Sequence, residues 1–286
     1  MVGVIACGGK STRLFPCTKV LSKQLLPLYD KPLIYYPISM LLKVGIKDIA
    51  IIVSAENLEN YKAQLGDGSE FGANIRFYID DVQMGTVSAL RKAEEFYKGQ
   101  KLCYILGDNF FYGKEFDEKL AEAVKLEHGA YCFGYPVKNP KAFGVANYDK
   151  NGKVLELEEK PEQPKSNQAV TGIYVYDEKV YEYAQNVGLS KRNEYEITDL
   201  NNMYLKAGEL NLVKLSKKNY WLDAGNCEGL YKATEFVRKE IKRTKKQIAC
   251  LDEIAFQNGL ISKEQLKLNY EKLKKTEYGK YLEKYI

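Results

Sequence analysis

The segment Cys7-Gly8-Gly9-Lys10-Ser11-Thr12-Arg13 concentrates two glycines, two hydroxyls and two cations near the start of the chain. Backbone N–H groups in such a loop can cradle phosphate oxygens, and the planar fork of arginine suits a polyphosphate. Lys23 adds a compact charge for one phosphoryl group, on a stretch that Pro16 and Pro27 keep from continuous helix. Together they point to a triphosphate site. Gly9-Lys10-Ser11 also mimics the end of a P-loop, but that motif needs glycine where Val4 stands, and Pro16 interrupts the long helix it requires. No G-x-G-x-x-G follows the first apolar run, which argues against a dinucleotide fold.

Asp108 follows the apolar run Leu102 to Leu106 and so opens the carboxyl end of a strand, the edge at which open α/β sheets bind ligands. His128 is the only histidine, which leaves little for zinc or general-base chemistry. The six cysteines lack a C-x-x-C pair, and buried reduced thiols are expected. A net charge of +5 is modest, and the cluster Arg238-Lys239, Lys242-Arg243, Lys245-Lys246 lacks interleaved aromatics. It reads as a solvated helix face, with no nucleic-acid partner.

These groups need a frame. Apolar runs at Val2 to Ala6 and Ile49 to Val53 alternate with helical segments at Pro37 to Val44 and about Glu56 to Leu65, the signature of βαβ units. Phe116, Leu120, Ala123 and Val124 share one helical stripe after Asp108. From about Ala130 the texture changes to tyrosine-rich strands such as Ala130 to Tyr135 and Gly172 to Tyr176, with a turn at Asp149-Lys150-Asn151-Gly152. After about Gly229 the chain turns helical, and Ser262-x-x-Gln265 predicts a capping box ahead of a last helix. The expected fold is α/β: a Rossmann-like, mostly parallel sheet with helices on both faces, a mixed or antiparallel part and a C-terminal helical appendage. The expected organisation is a core over 1–229, its nucleotide part about 1–129 and its sugar-phosphate part about 130–229, followed by an oligomerisation or regulatory region over 230–286. No apolar run approaches the roughly 20 residues of a membrane helix, and no secretory pattern opens the sequence, so the cytoplasm is the expected compartment.

Gly8-Gly9-x-x-Thr12-Arg13-Leu14, Ser22-Lys23-Gln24-Leu25-Leu26-Pro27, Tyr29-Asp30-Lys31-Pro32 and Leu106-Gly107-Asp108-Asn109 resemble the glucose-1-phosphate thymidylyltransferases, a sugar-1-phosphate nucleotidylyltransferase family. The likeness continues through Phe143-Gly144-Val145, Glu158-Glu159-Lys160-Pro161, Ala169-Val170-Thr171-Gly172, Glu196-Ile197-Thr198-Asp199, Trp221-Leu222-Asp223 and Tyr278-Gly279-x-Tyr281-Leu282. That resemblance implies that Gly8, Gly9, Ser11, Thr12 and Gly85 belong to the nucleotide site, with Arg13 on the outer phosphates and Lys23 on the α-phosphate. It implies that Asp108 and Asp223 hold Mg²⁺, a hard cation suited to carboxylate and phosphate oxygens. Glu159 is expected to accept from sugar hydroxyls and Lys160 and Arg192 to meet the sugar phosphate, with Asn109, Gly144, Val170 and Trp221 completing that pocket. The implied partners are a nucleoside triphosphate, a sugar 1-phosphate and further copies of the chain in a tetramer. A catalytically silent nucleotide-sugar-binding subunit is the competing class, and retention of Arg13, Lys23, Asp108 and Asp223 argues against it.

Some positions depart from the family pattern. Ser11 stands for a third loop glycine, and Asn193 and Ala224 replace a usual glycine and threonine. Where the family carries a base-reading glutamine, this chain has Asp80. A glutamine amide serves both O4 and N3–H of thymine, whereas a carboxylate only accepts and suits the donors of guanine or cytosine. Gln83, brought to the base, would restore pyrimidine reading. Both Asp80 and Gln83 are therefore candidates for the base site, with thymidine favoured.

Overall fold

Uninterrupted apolar runs form strands buried on both faces. The computed structural model describes residues 1–286. Strands β1 (Val2–Ala6), β2 (Asp48–Val53), β3 (Asn74–Ile79) and β4 (Leu102–Leu106) lie parallel in the order β4-β1-β2-β3. They are joined through α1 (Tyr35–Lys43), α2 (Leu58–Leu65), α3 (Thr86–Lys92) and the short α4 (Glu94–Tyr97). Successive side chains alternate between two cores: Ile49, Ile51 and Val53 face one, Ala50 and Ile52 the other. That alternation demands apolar residues at every position of a central parallel strand. Truncating the fully buried Ile51 to alanine would cost about 2–5 kcal/mol, the range for such core deletions.

The chain continues through β5 (Asn109–Tyr112), α5 (Lys114–Ala123), β6 (Ala130–Pro136), the hairpin β7 (Gly144–Tyr148) and β8 (Val154–Glu159), and β9 (Gln168–Tyr176). Next come α6 (Val180–Asn186), α7 (Ile197–Lys206), β10 (Leu210–Lys214) and β11 (Tyr220–Asp223). The sheet has nine strands, with β10-β6-β9-β4-β1-β2-β3 in line and the β7–β8 hairpin attached at β9. Only β9 in that line is reversed, antiparallel to both β4 and β6, so the sheet is mostly parallel. Helices α1, α2 and α5 contribute to one core and α3, α4, α6 and α7 to the other.

Helices α8 (Cys227–Thr244), α9 (Leu251–Gln257), α10 (Lys263–Leu273) and α11 (Glu277–Leu282) close the chain. Leu251, Ile254, Leu266 and Leu282 join the same core as Ile38 and Leu41 of α1. The predicted capping box forms only in half. Ser262 Oγ accepts from Gln265 N at 3.2 Å, but the Gln265 amide turns to Asn269 Oδ1 at 2.8 Å. Nor is α10 the last helix, because Thr276 caps α11 by accepting from Gly279 N at 3.0 Å. Cys7, Cys103, Cys132 and Cys250 are buried as expected, but Cys17 and Cys227 are exposed, since both sit in loop or helix-start positions outside the strands. The basic cluster on and after α8 is exposed, as is His128. No helix is long and apolar enough to cross a membrane.

Candidate active site

β1 and β4 end side by side, and the chain leaving each forms the floor of a cleft of about 370 Å³, within the usual size range of ligand pockets. Gly107 permits this closeness: a Cβ there would meet Cys7 Sγ at 2.6 Å and Ala6 O at 2.9 Å. From β1 the chain enters the Gly8–Gly9 loop. Leu14, 1% exposed, anchors the turn that leaves Arg13 in solvent. Ser11 sits left-handed at φ 54°, the conformation for which glycine is the natural choice.

Lys23 is held in a single helical turn tied to neighbouring chain. Ser22 N donates to Asn57 Oδ1 at 2.8 Å, and Ser22 Oγ donates to Gln24 Oε1 at 2.6 Å, beside the buried Tyr61 hydroxyl. This bracing aims Lys23 Nζ at Asp108 Oδ2, 2.5 Å away. Burial alone would pull the Lys23 ammonium down, but the charge and hydrogen bond of Asp108 prevail and hold it above the usual lysine value. Asp108, against its own burial, is correspondingly held below the usual carboxylate range by Lys23.

Asp223 arrives from the far end of the chain on a two-stranded ribbon. β11 pairs antiparallel with β5, setting Asp223 opposite Asn109, and Ala224 N donates to Asp108 O at 2.9 Å. Asp223 Oδ1, Asp108 Oδ2 and Arg13 Nη2 all lie within 3.0 Å of the place a Gly225 Cβ would occupy. Burial and then the charge of Asp108 push the Asp223 carboxyl upward. Two half-buried carboxylates facing one point repel, and a cation between them relieves both.

On the base side, Asp80, Gln83, Gly85 and Thr86 line the cleft. Asp80 is only 2% exposed, and its Oδ1 accepts from Val82 N at 3.2 Å and Gln83 N at 3.1 Å. Gly85, at φ 98°, packs where a Cβ would meet Tyr195 O at 2.8 Å. Through that approach the base loop is joined to the segment carrying Arg192: Tyr195 N donates to Met84 O at 2.8 Å, and Val87 N to Tyr195 O at 3.1 Å.

The opposite wall holds Gly144, Glu159, Lys160, Val170 and Trp221. Glu159 lies across from Gly144 in the β7–β8 register, accepting from Thr198 Oγ1 at 2.5 Å and from Arg192 Nη1 at 3.2 Å. Arg192 also pairs with Glu194 at 3.1 Å and Glu196 at 3.4 Å. Burial, then the charge of Glu159, raises the Glu196 carboxyl above its usual value. Asn109 is a bracket: its Oδ1 accepts from Gly172 N at 3.0 Å and Trp221 Nε1 at 2.7 Å, while its Nδ2 donates to Asp108 Oδ1 at 3.1 Å.

Of the residues singled out by sequence, Gly8, Gly9, Arg13, Lys23, Asp80, Gln83, Gly85, Asp108 and Asp223 line one end of the cleft, together with the opposite-wall group and Asn109. Ser11, Thr12 and Arg192 do not line it; Arg192 touches it only through its carboxylate partners. Sequence reasoning gave Glu194 no role, and saw Glu196 only as part of a matched block, yet both line the cleft. Gln24 was seen only as part of a matched block, yet it lines the cleft and braces Lys23.

A glycine loop at the edge of a parallel sheet, cations and paired aspartates beside it and a second charged wall opposite define a nucleotide-handling enzyme. Residues 2–240 match the family model described as nucleotidyl transferase. A glucose-1-phosphate thymidylyltransferase of Neisseria gonorrhoeae is 45% identical over 282 residues, covering 99% of this chain and 98% of that protein. One from Mycolicibacterium smegmatis is 40% identical over 282 residues, covering 99% and 98%. A Bacillus anthracis crystal structure, described as a candidate glucose-1-phosphate thymidylyltransferase in complex with a sucrose, superposes with TM-score 0.76 at 40% identity, covering 83% of this chain and 95% of that one. A UDP-glucose pyrophosphorylase structure shares the fold at TM-score 0.73 and 22% identity. The chain belongs to the nucleotidyl transferase family. It is a nucleotidyltransferase of the pyrophosphate-releasing kind.

Proposed function

We propose that this chain transfers the thymidylyl group of dTTP to glucose 1-phosphate, releasing pyrophosphate and forming dTDP-glucose, with Mg²⁺ as cofactor. The observation that carries this reading is the convergence of Arg13, Asp108 and Asp223 on one point, with Lys23 paired to Asp108, in a cleft lined also by the glycine loop, Glu159 and Lys160. The named activity of relatives at 40–45% identity over 99% of the chain supplies the substrates.

An oxygen of the sugar phosphate attacks the α-phosphorus, the bond from that phosphorus to the bridging oxygen breaks, and pyrophosphate leaves with the electron pair. Catalysis then rests on positioning and on neutralising charge, without a covalent enzyme intermediate. Lys23 has three donors, of which Asp108 takes one, leaving charge and donors for the α-phosphate. Arg13 receives the outer phosphates, with Gly8, Gly9, Ser11 and Thr12 supplying the loop around them. Lys160 and Arg192 hold the sugar phosphate, Glu159 accepts from sugar hydroxyls, and Gly144, Val170, Asn109 and Trp221 shape the pocket. Asp108 and Asp223 fit a magnesium ion: two facing carboxylates are the protein share such an ion takes when substrate phosphates and water complete its shell. When bound, it supplies positive charge to the phosphate oxygens.

The 31P spectrum of a mixture of dTTP, glucose 1-phosphate, Mg²⁺ and the protein reads the reaction. Growth of a nucleoside diphosphate sugar and free pyrophosphate is expected, and an unchanged spectrum refutes the reading. The same reading carries a cytoplasmic homotetramer, its assembly measurable by light scattering.

A further inference from the structure

Lys23 is flanked in sequence by two buried polar side chains, Ser22 at 4% and Gln24 at 2% exposure. One hydroxyl touches both of them. Tyr61 Oη lies 2.9 Å from Ser22 Oγ and donates to Gln24 Oε1 at 3.3 Å. Ser22 Oγ places its own proton on Gln24 Oε1 at 2.6 Å, so the Tyr61 hydroxyl supplies the only other proton in this triangle. Burial holds that hydroxyl well above its usual pKa and keeps it a neutral donor. The Tyr61 ring is fully buried in the core and lies 6.5 Å from that of Phe77, contacts that a phenylalanine would make equally well. Packing therefore does not account for the hydroxyl, which is costly to bury without a purpose.

The grip on the Lys23 turn has a second point. Asn57, four residues before Tyr61 at the start of α2, accepts from Ser22 N at 2.8 Å and donates to Ser54 Oγ at 3.0 Å. On the other side, Gln24 Cγ lies 3.1 Å from the place a Gly107 Cβ would occupy. The residue after Lys23 thus packs on the residue before Asp108.

We infer that Tyr61 is a positioning residue for Lys23: its hydroxyl fixes Ser22 and Gln24 on either side and so holds the Lys23 ammonium in register with Asp108 and the incoming phosphates. The inference rests on the nucleotidyl-transfer reading above. A lysine carries its charge on a flexible four-carbon stem, so the charge is placed only as accurately as the backbone beneath it. The turn carrying Lys23 is three residues long and has few bonds of its own. A fully satisfied buried polar network supplies the missing rigidity. Lys23 and Gln24 line the cleft, whereas Tyr61 and Ser22 do not, so Tyr61 acts through its neighbours and not on a substrate.

A double-mutant cycle on dTTP affinity, measured by calorimetry without sugar phosphate, tests this independently of turnover. Tyr61→Phe should weaken dTTP binding by about threefold to tenfold, the worth of one hydrogen bond. Lys23→Ala should weaken it by about tenfold or more, the worth of a charge-assisted one. In the Lys23→Ala background Tyr61→Phe should then have no effect, because the group it positions is gone. Ser22→Ala, taken through the same cycle, should behave as Tyr61→Phe does, and it replaces that variant if circular dichroism shows Tyr61→Phe unfolded. The proposal is overturned if Tyr61→Phe binds dTTP as the wild type does, or if the same loss persists when Lys23 is already alanine. Should the coupling appear while no pyrophosphate is released from dTTP and glucose 1-phosphate, the positioning role stands and the proposed reaction falls.

Discussion

Lys23 Nζ lies 2.5 Å from Asp108 Oδ2, an ion pair between residues 85 positions apart in the chain. Each partner stabilises the charged form of the other. The pair thus keeps a permanent cation and a permanent anion at the junction of the two halves of the cleft. Lys23→Ala is expected to lower the turnover number by about 10²–10³, the usual effect of removing one preorganised charge from a transition state. Initial-rate kinetics on the folded variant checks this, and near-normal turnover would remove Lys23 from the chemistry.

Asp223 and Asp108 share one focus, so activity is expected to depend on a divalent cation. Excess EDTA should abolish turnover and added Mg²⁺ restore it, while Asp223→Asn should raise the Mg²⁺ concentration needed for half-maximal rate. Full activity in chelator would exclude the metal role of both aspartates.

Arg192 is paired with Glu159, Glu194 and Glu196, carboxylates that line the cleft across from the glycine loop. Arg192→Ala should therefore raise KM for the sugar phosphate about tenfold or more, a typical charge-assisted hydrogen bond being worth about 1.5–3 kcal/mol. KM for the nucleotide should change little. An equal rise for both substrates would contradict assignment to the sugar-phosphate side.

Trp221 is the only tryptophan and lines the cleft, its indole bonded to Asn109 and packed at 5.1 Å on Phe143. Intrinsic fluorescence is expected to change saturably as glucose 1-phosphate is titrated in. A flat titration would place the sugar phosphate elsewhere.

Ser11 occupies a left-handed position without a side-chain cap. Ser11→Gly should relieve about 1 kcal/mol of strain, part of it offset by the greater freedom of glycine in the unfolded chain. A rise in Tm of about 2 °C follows from the size scaling. A fall in Tm would mean the Ser11 hydroxyl, bonded to Gly9 O at 3.2 Å, stabilises the loop by more than the strain costs.

Much of this was legible in the sequence because its causes are local. The runs at Val2–Ala6 and Leu102–Leu106 can only be strands buried on two faces, and the strand ends fix where Asp108 must sit. Strand direction was legible by region, parallel for the βαβ units and mixed or antiparallel from about Ala130, but the apolar pattern of β9 did not by itself mark it as the reversed strand. The meeting of Asp108 with Asp223 depends on the β5–β11 ribbon, a non-local pairing that no spacing encodes; only the family resemblance anticipated it. The Gln265 side chain preferred Asn269 to the helix start, a competition decided by the buried contact of Asn269 with Asp252. Asp80 and Gln83, both offered by the sequence for the base, both line the cleft, and the two backbone N–H groups from which Asp80 Oδ1 accepts belong to a loop conformation that no spacing encodes.

The most direct test of the central claim is the rate of pyrophosphate release from dTTP in the presence of Mg²⁺, measured with and without glucose 1-phosphate. Release that requires the sugar phosphate, and equals the nucleotide sugar formed, is the predicted result. No release with both substrates present, or release that proceeds equally well without the sugar phosphate, would contradict the account.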